Sequence, residues 1–299
     1  MQWNIASAAL LIGFVIGLTG MGGGALMTPV LVIFFHVVPT AAISSDVVAS
    51  VILKPIGGGV HARRGTVNWR LVRWLSVGSV PAAFGGAYAI SRVSGGGVQN
   101  DVKQILGWVL LVAAAGMALK SITQARRKSL PTGEMLDPAL VRPFPTLLIG
   151  VVGGFAVGLT SVGSGSLMIV LLMLLYPTLS SREMVGTDLV QAIPLVASAA
   201  LGHLVFGNLE LGLTGSVLVG AIPGVYVGAH VSARASDRYI RPALIAVLTI
   251  SSLKLVGASN DLLLAASGVS IAALATLFAV SARRRAVAAS AARELTPTR

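Results

Sequence analysis

Apolar segments of membrane-crossing length recur along this chain, at about 43–60, 74–91, 104–119, 185–206, 211–233, 242–257 and 262–281. Each approaches the ~20 residues with which an α-helix crosses a hydrocarbon core of ~30 Å. Charged residues are too scarce to clothe such segments in water: 11% of the 299 residues are charged and 55% apolar, against about 25% charged in a soluble domain. The chain therefore reads as an all-α polytopic membrane protein, since helices satisfy their own backbone hydrogen bonds in lipid. Its formal net charge of +12 lies in the connections between apolar spans. That pattern orients helices in a bilayer and speaks against a nucleic-acid partner. No cysteine occurs, which excludes disulfides, thiolate metal centres and cysteine nucleophiles. No basic side chain precedes Lys54, so the opening segment lacks the head of a cleavable signal and is expected to belong to the mature fold.

Two further segments, 6–35 and 144–175, are interrupted by glycine-rich stretches, Gly20-Met21-Gly22-Gly23-Gly24 and Gly163-Ser164-Gly165. At ~1.5 Å per residue the pieces flanking the first break reach only about 21 and 17 Å, so neither spans a bilayer alone. Each segment is then either one tilted crossing or a hairpin that enters the membrane and returns.

The two breaks belong to an internal repeat. At an offset of 141, Gly17-Leu18-Thr19 matches Gly158-Leu159-Thr160, and Gly22, Gly24, Leu26 and Met27 match Gly163, Gly165, Leu167 and Met168. At an offset of 142, Asp46 matches Asp188, His61 matches His203, Gly78 matches Gly220 and Pro81 matches Pro223. This divides the chain into a first transmembrane repeat (1–120), a cytoplasmic connector (121–142), a second repeat (143–257) and an extra helix with a basic tail (258–299). If both broken segments are hairpins, 18 of the 22 basic residues fall on one side, which the positive-inside rule makes cytoplasmic. Two inverted repeats follow, each a glycine-broken re-entrant hairpin plus three transmembrane helices, the plan of many secondary transporters.

The sites follow from what the membrane makes costly. Amides of Gly22, Gly23 and Gly24 and of Gly163, Ser164 and Gly165, deep in lipid, need acceptors. Helices restarting at about Ala25 and Ser166 would offer amino ends to an anion; the plainer role of the glycines is tight packing. Lys54 is the cation inside a span, where it costs ~2.5–3.5 kcal/mol and is a functional candidate by default. It could instead pair with Asp46, and Pro55 is expected to break the helix beside it. Asp46 and Asp188 are candidates for coupling a proton, or else helix caps. His61 and His203, near the membrane edges, could gate or sense pH, or simply hydrogen-bond there. Histidine spacing offers no metal site.

These residues carry a resemblance. Gly17-Leu18-Thr19-Gly20-Met21-Gly22-Gly23-Gly24, Ser45-Asp46, Lys54, His61 and Arg64-Gly65-Thr66-Val67-Asn68-Trp69 in the first half, with Gly186-Thr187-Asp188-Leu189, Gly202-His203 and Gly207-Asn208 in the second, are similar to the sulfite exporter TauE/SafE family of membrane transporters. Asn68, where an aspartate is common, and Ser44-Ser45, where Gly-Thr is common, depart from the pattern. The resemblance implies a multi-pass protein of the bacterial inner membrane that moves a small sulfur-containing oxyanion, sulfite or an organosulfonate, usually outward. It implies neither enzyme activity nor a cofactor. Proton or sodium coupling and a homo-oligomeric assembly stay open. A passive anion channel is the alternative, and an intramembrane serine hydrolase built on Ser164 and His203 a remoter one.

Overall fold

The computed structural model describes residues 2–19, 23–63, 65–93, 99–127, 140–163, 165, 167–177, 179–207, 209–232, 237–270 and 272. Regular structure among them is helical. The first half holds α1 (Trp3–Thr19), a single 3-10 turn (Gly23–Ala25), α2 (Met27–Phe34), α3 (Pro39–Arg63), α4 (Trp69–Val93) and α5 (Gln99–Arg127). The second repeats that order with α6 (Pro143–Thr160), α7 (Leu167–Leu175), α8 (Ser181–Phe206), α9 (Leu211–Ser232) and α10 (Asp237–Val256). A further helix, α11, covers 260–270. Five helices carry windows long and apolar enough to cross a membrane, on α3, α5, α6, α8 and α9. The broken segments fall where their glycines put them. The helix of α3 runs on through Pro55, so the expected break beside Lys54 is not there.

Packing interlocks the halves. α1 lies along α9 in parallel register, with Gly220 against Ala6, Gly224 against Leu10 and Gly228 against Phe14. α6 lies along α4 in the same way, with Gly78 against Leu147 and Gly86 against Phe155. These are the same contacts at repeat-equivalent positions. At Gly220 and Gly78 a Cβ would collide with the neighbouring carbonyl oxygen, so glycine is what lets the backbones close up where lipid supplies no hydrophobic drive to association.

Two buried clusters result, and each mixes the halves. One joins α1 and α2 to α9 and α10 through Ile5, Leu31, Val217 and Leu248; the other joins α6 and α7 to α4 and α8 through Val157, Met168, Leu75 and Leu195. α3 contributes to both, with Leu53 in the first and Val47 in the second. It crosses α8 with opposite polarity: Ser44 meets His203 and Gly207, while Gly58 meets Leu189 and Ile193.

The second broken segment returns to where it began. Tyr176, just past α7, lies with its hydroxyl 2.6 Å from Thr146 Oγ1 in the first turn of α6, and it accepts a hydrogen bond from the Arg142 amide at 2.8 Å. A single crossing would hold these residues apart by most of a bilayer, so α6 and α7 form a hairpin.

Candidate functional site

The two breaks meet. Gly24, buried in the 3-10 turn, packs so closely on the carbonyl of Ser161 that any Cβ there would overlap it. Ser161 ends α6 in a left-handed conformation, φ 61°, with its amide donating to Val157 O. That geometry turns the Ser161 hydroxyl onto α3, where it donates to Asp46 Oδ2 at 2.7 Å. Thr28 Oγ1, on α2, donates to the same oxygen at 2.9 Å. One buried carboxylate thus ties together α2, α3 and the break after α6. Two charge-assisted hydrogen bonds are the kind of compensation that makes an ionised group tolerable away from water.

Beyond Ser161, Gly163 and Gly165 take φ +133° and +93°, values that side chains disfavour. Gly23 sits beside the same carboxylate: a Cβ on it would lie 3.2 Å from Asp46 Oδ1. The helices restart at Met27 and Leu167, slightly later than expected. Part of their amide supply is consumed within the breaks, since Leu26 N–H donates to Gly23 O and Met168 N–H to Gly163 O. Fewer donors are left for a guest than bare helix ends would offer. Gly22 and Ser164 lie outside the described residues.

Lys54 is buried on α3, 5% exposed, and interacts electrostatically with both Asp188 and Asp46. Neither carboxylate caps a helix: α3 starts at Pro39 and α8 at Ser181, with Ser180 as the N-cap of α8, its hydroxyl accepting from the Glu183 amide at 3.2 Å. The capping alternative is thereby set aside, and the two carboxylates that the sequence offered separately both act electrostatically on one buried ammonium. One turn beyond Asp188, Gln191 is fully buried and donates from Nε2 to Ser79 Oγ at 2.6 Å.

His203 is a buried strut. Its Nε2 lies 2.8 Å from Gly158 O and its Nδ1 3.0 Å from Ser44 Oγ. A carbonyl only accepts, so Nε2 carries the proton, and the ring fastens α8 to α6 and α3. His61 lies near the end of α3, and its side chain is outside the described residues. Asn68 caps α4, its Oδ1 accepting from Leu71 N–H at 3.2 Å, and donates from Nδ2 to Glu183 Oε1 at 2.9 Å. An ionised aspartate there would face Glu183 with no proton to give, which rationalises the departure from the family pattern.

Sequence reasoning assigned no role to Thr28, Ser161, Ser79 and Gln191. A signal for them existed: Thr28, Ser161, Ser79 and Gln191 fall opposite Ile169, Gly20, Ala221 and Ala49 when the repeats are superposed. Polar residues that break the repeat beside its best-matched positions mark the site.

The family model described as sulfite exporter TauE/SafE matches residues 5–255. A relative from Bacillus subtilis (strain 168), "Probable membrane transporter protein YjnA", is 36% identical over 259 residues, covering 86% of this chain and all of its own length. Another from the same organism, "Probable membrane transporter protein YdhB", is 26% identical over 219 residues, covering 73% of this chain and 85% of its own. No solved structure matches.

Proposed function

Because this chain belongs to the sulfite exporter TauE/SafE family of membrane transporters, we propose that it is a secondary transporter of a small sulfur-containing oxyanion, sulfite or an organosulfonate, carrying it outward across the inner membrane. The observation that carries this reading is the convergence of both glycine-broken segments on the buried carboxylate of Asp46, which with Asp188 acts electrostatically on the buried Lys54. Lys54 supplies the counter-charge, and the amides around Gly23, Gly24, Gly163 and Gly165 supply donors to the oxygens.

The halves are inverted repeats in this reading. It is supported by the opposite polarity of α3 and α8, which are repeat equivalents, and by the matched pairings of α1 with α9 and of α6 with α4. The bodies that rock are then the two mixed clusters rather than the two halves of the sequence, since each hairpin is packed against the other half's helix.

Charge balance argues for coupling. An anion joins one ammonium and two carboxylates, and a like-charge pair ~5 Å apart at an effective dielectric of ~20 costs about 3 kcal/mol. Uptake of a proton or sodium ion at Asp46 or Asp188 offsets that repulsion. The purified protein in vesicles is expected to give saturable flux for at least one of sulfite, thiosulfate and sulfoacetate, and Lys54→Gln to abolish it without loss of insertion. Flux that neither saturates nor responds to proton or sodium gradients would point to a channel; unchanged flux in Lys54→Gln would remove the counter-charge role.

A further inference from the structure

The crossing of α3 and α8 has a centre that the contacts locate. Ser44 faces His203 and Gly207 at one end, and Gly58 faces Leu189 and Ile193 at the other. Interpolating along two antiparallel helices places Lys54 opposite residues 193–197. Its repeat equivalent is Val196, inside that stretch and 2% exposed. Equivalent residues face each other only where a pseudo-two-fold axis passes, so Lys54 and Val196 lie beside that axis. One long side chain fits there, and a second ammonium would be repelled by the first, which accounts for a lysine in one repeat and a valine in the other.

The same interpolation sets the carboxylates to either side. Asp46 lies eight residues before Lys54 on α3, ~12 Å along the helix axis. Asp188 faces residues 59–63 of α3, beyond Lys54 in the opposite direction by a comparable ~7–14 Å. Both are buried, and both act electrostatically on the lysine.

We infer that Lys54 is an exchangeable counter-ion at the centre of the molecule, swinging toward Asp46 in one access state and toward Asp188 in the other, so that the carboxylate it leaves is the one free to take the coupling cation. This rests on the inverted-repeat transporter reading and deepens it. The crossing sets the two carboxylates on opposite sides of the lysine at comparable distances, so exchange between them gives a carrier two discrete states. The flexible four-carbon stem of lysine permits the swing, whereas a fork-shaped guanidinium would hold one partner.

Relocation of the lysine tests the inference. Lys54→Val should abolish sulfite flux, and Lys54→Val combined with Val196→Lys should restore saturable flux, because the ammonium returns to the same centre from the other helix. A double variant that purifies as well as the single one and stays inactive would overturn it. Should either variant fail to insert, a single cysteine at Ser50, one turn from Asp46, decides in backgrounds that keep Lys54. Asp46→Asn and Asp188→Asn should shift its labelling by impermeant thiol reagents toward opposite sides of the membrane. Shifts to the same side, or none, would contradict the exchange. Labelling does not depend on the anion, so wild-type protein that moves none of the sulfur oxyanions would remove the substrate reading while leaving the exchange to be judged by the labels.

Discussion

Asp46 and Asp188 occupy equivalent places in the two halves, yet their surroundings differ. Asp46 accepts from Thr28 and Ser161, whereas the positions equivalent to those donors opposite Asp188 hold Ile169 and Gly20. The same contrast recurs at the hairpin base and at the α4–α8 contact. Thr146 and Tyr176 are joined by a hydrogen bond where the first half has Ile5 and Phe35, which share an apolar cluster. Gln191 and Ser79 are joined where the first half has Ala49 and Ala221. At the hairpin base and the α4–α8 contact the partners have changed together, polar for polar or apolar for apolar, whereas Asp188 keeps its carboxylate without the two hydroxyl donors that Asp46 has. The backbone frame is copied between halves, and the chemistry laid on it is not.

The breaks give the largest expected effect. Gly24 and Gly165 are equivalent, but Gly24 is constrained by contact with the Ser161 carbonyl and Gly165 by its φ of +93°. Gly24→Ala should cost ~3 kcal/mol, since backbone must move, and Gly165→Ala ~1–2 kcal/mol of conformational strain. Thermal unfolding in detergent would show whether the order holds; equal losses would mean the breaks are not packed differently.

Next comes the hairpin base. Tyr176→Phe should cost ~1–2 kcal/mol by leaving Thr146 and the Arg142 amide short of a partner. Adding Thr146→Val, which makes the second half chemically like the first, should cost less than the two single changes summed, with a coupling of ~1 kcal/mol. Strict additivity would show that the two side chains do not act as a pair.

The smallest effect belongs to the pair on α4 and α8. Gln191→Ala with Ser79→Ala should be as stable as Gln191→Ala alone or more stable by up to ~1 kcal/mol, because a buried hydroxyl left alone is penalised more than an apolar group in its place. A double variant markedly worse than both singles would give these residues a task beyond holding the helices.

Much of the frame was legible in the sequence. Length and hydropathy placed α3, α4 and α8 to α10 within about five residues, cut α5 short at its C-terminal end, 119 against Arg127, and glycine interruptions placed both breaks. A periodic apolar pattern states that a helix exists and says nothing of its neighbour, so the mixing of the halves, with α1 against α9, was out of reach. Pro55 misled because proline is penalised in an isolated helix, whereas α3 continues through it, as membrane helices do where their surroundings satisfy the freed backbone groups. Lys54 and the two aspartates stood out because charge is rare in spans. Thr28 and Ser161 did not, since hydroxyls are common in membrane helices and reveal their role only when Asp46 is seen between them.

The transport cycle requires the two halves to be inserted with opposite orientation around Asp46, Lys54 and Asp188. The chain has no cysteine, so single cysteines can replace exposed Arg70, at the start of α4, and exposed Glu210, just before α9. Impermeant thiol reagents applied to sealed vesicles should reach these two positions from opposite sides of the membrane. Labelling of both from the same side would contradict the inverted arrangement and, with it, the transport cycle built on it.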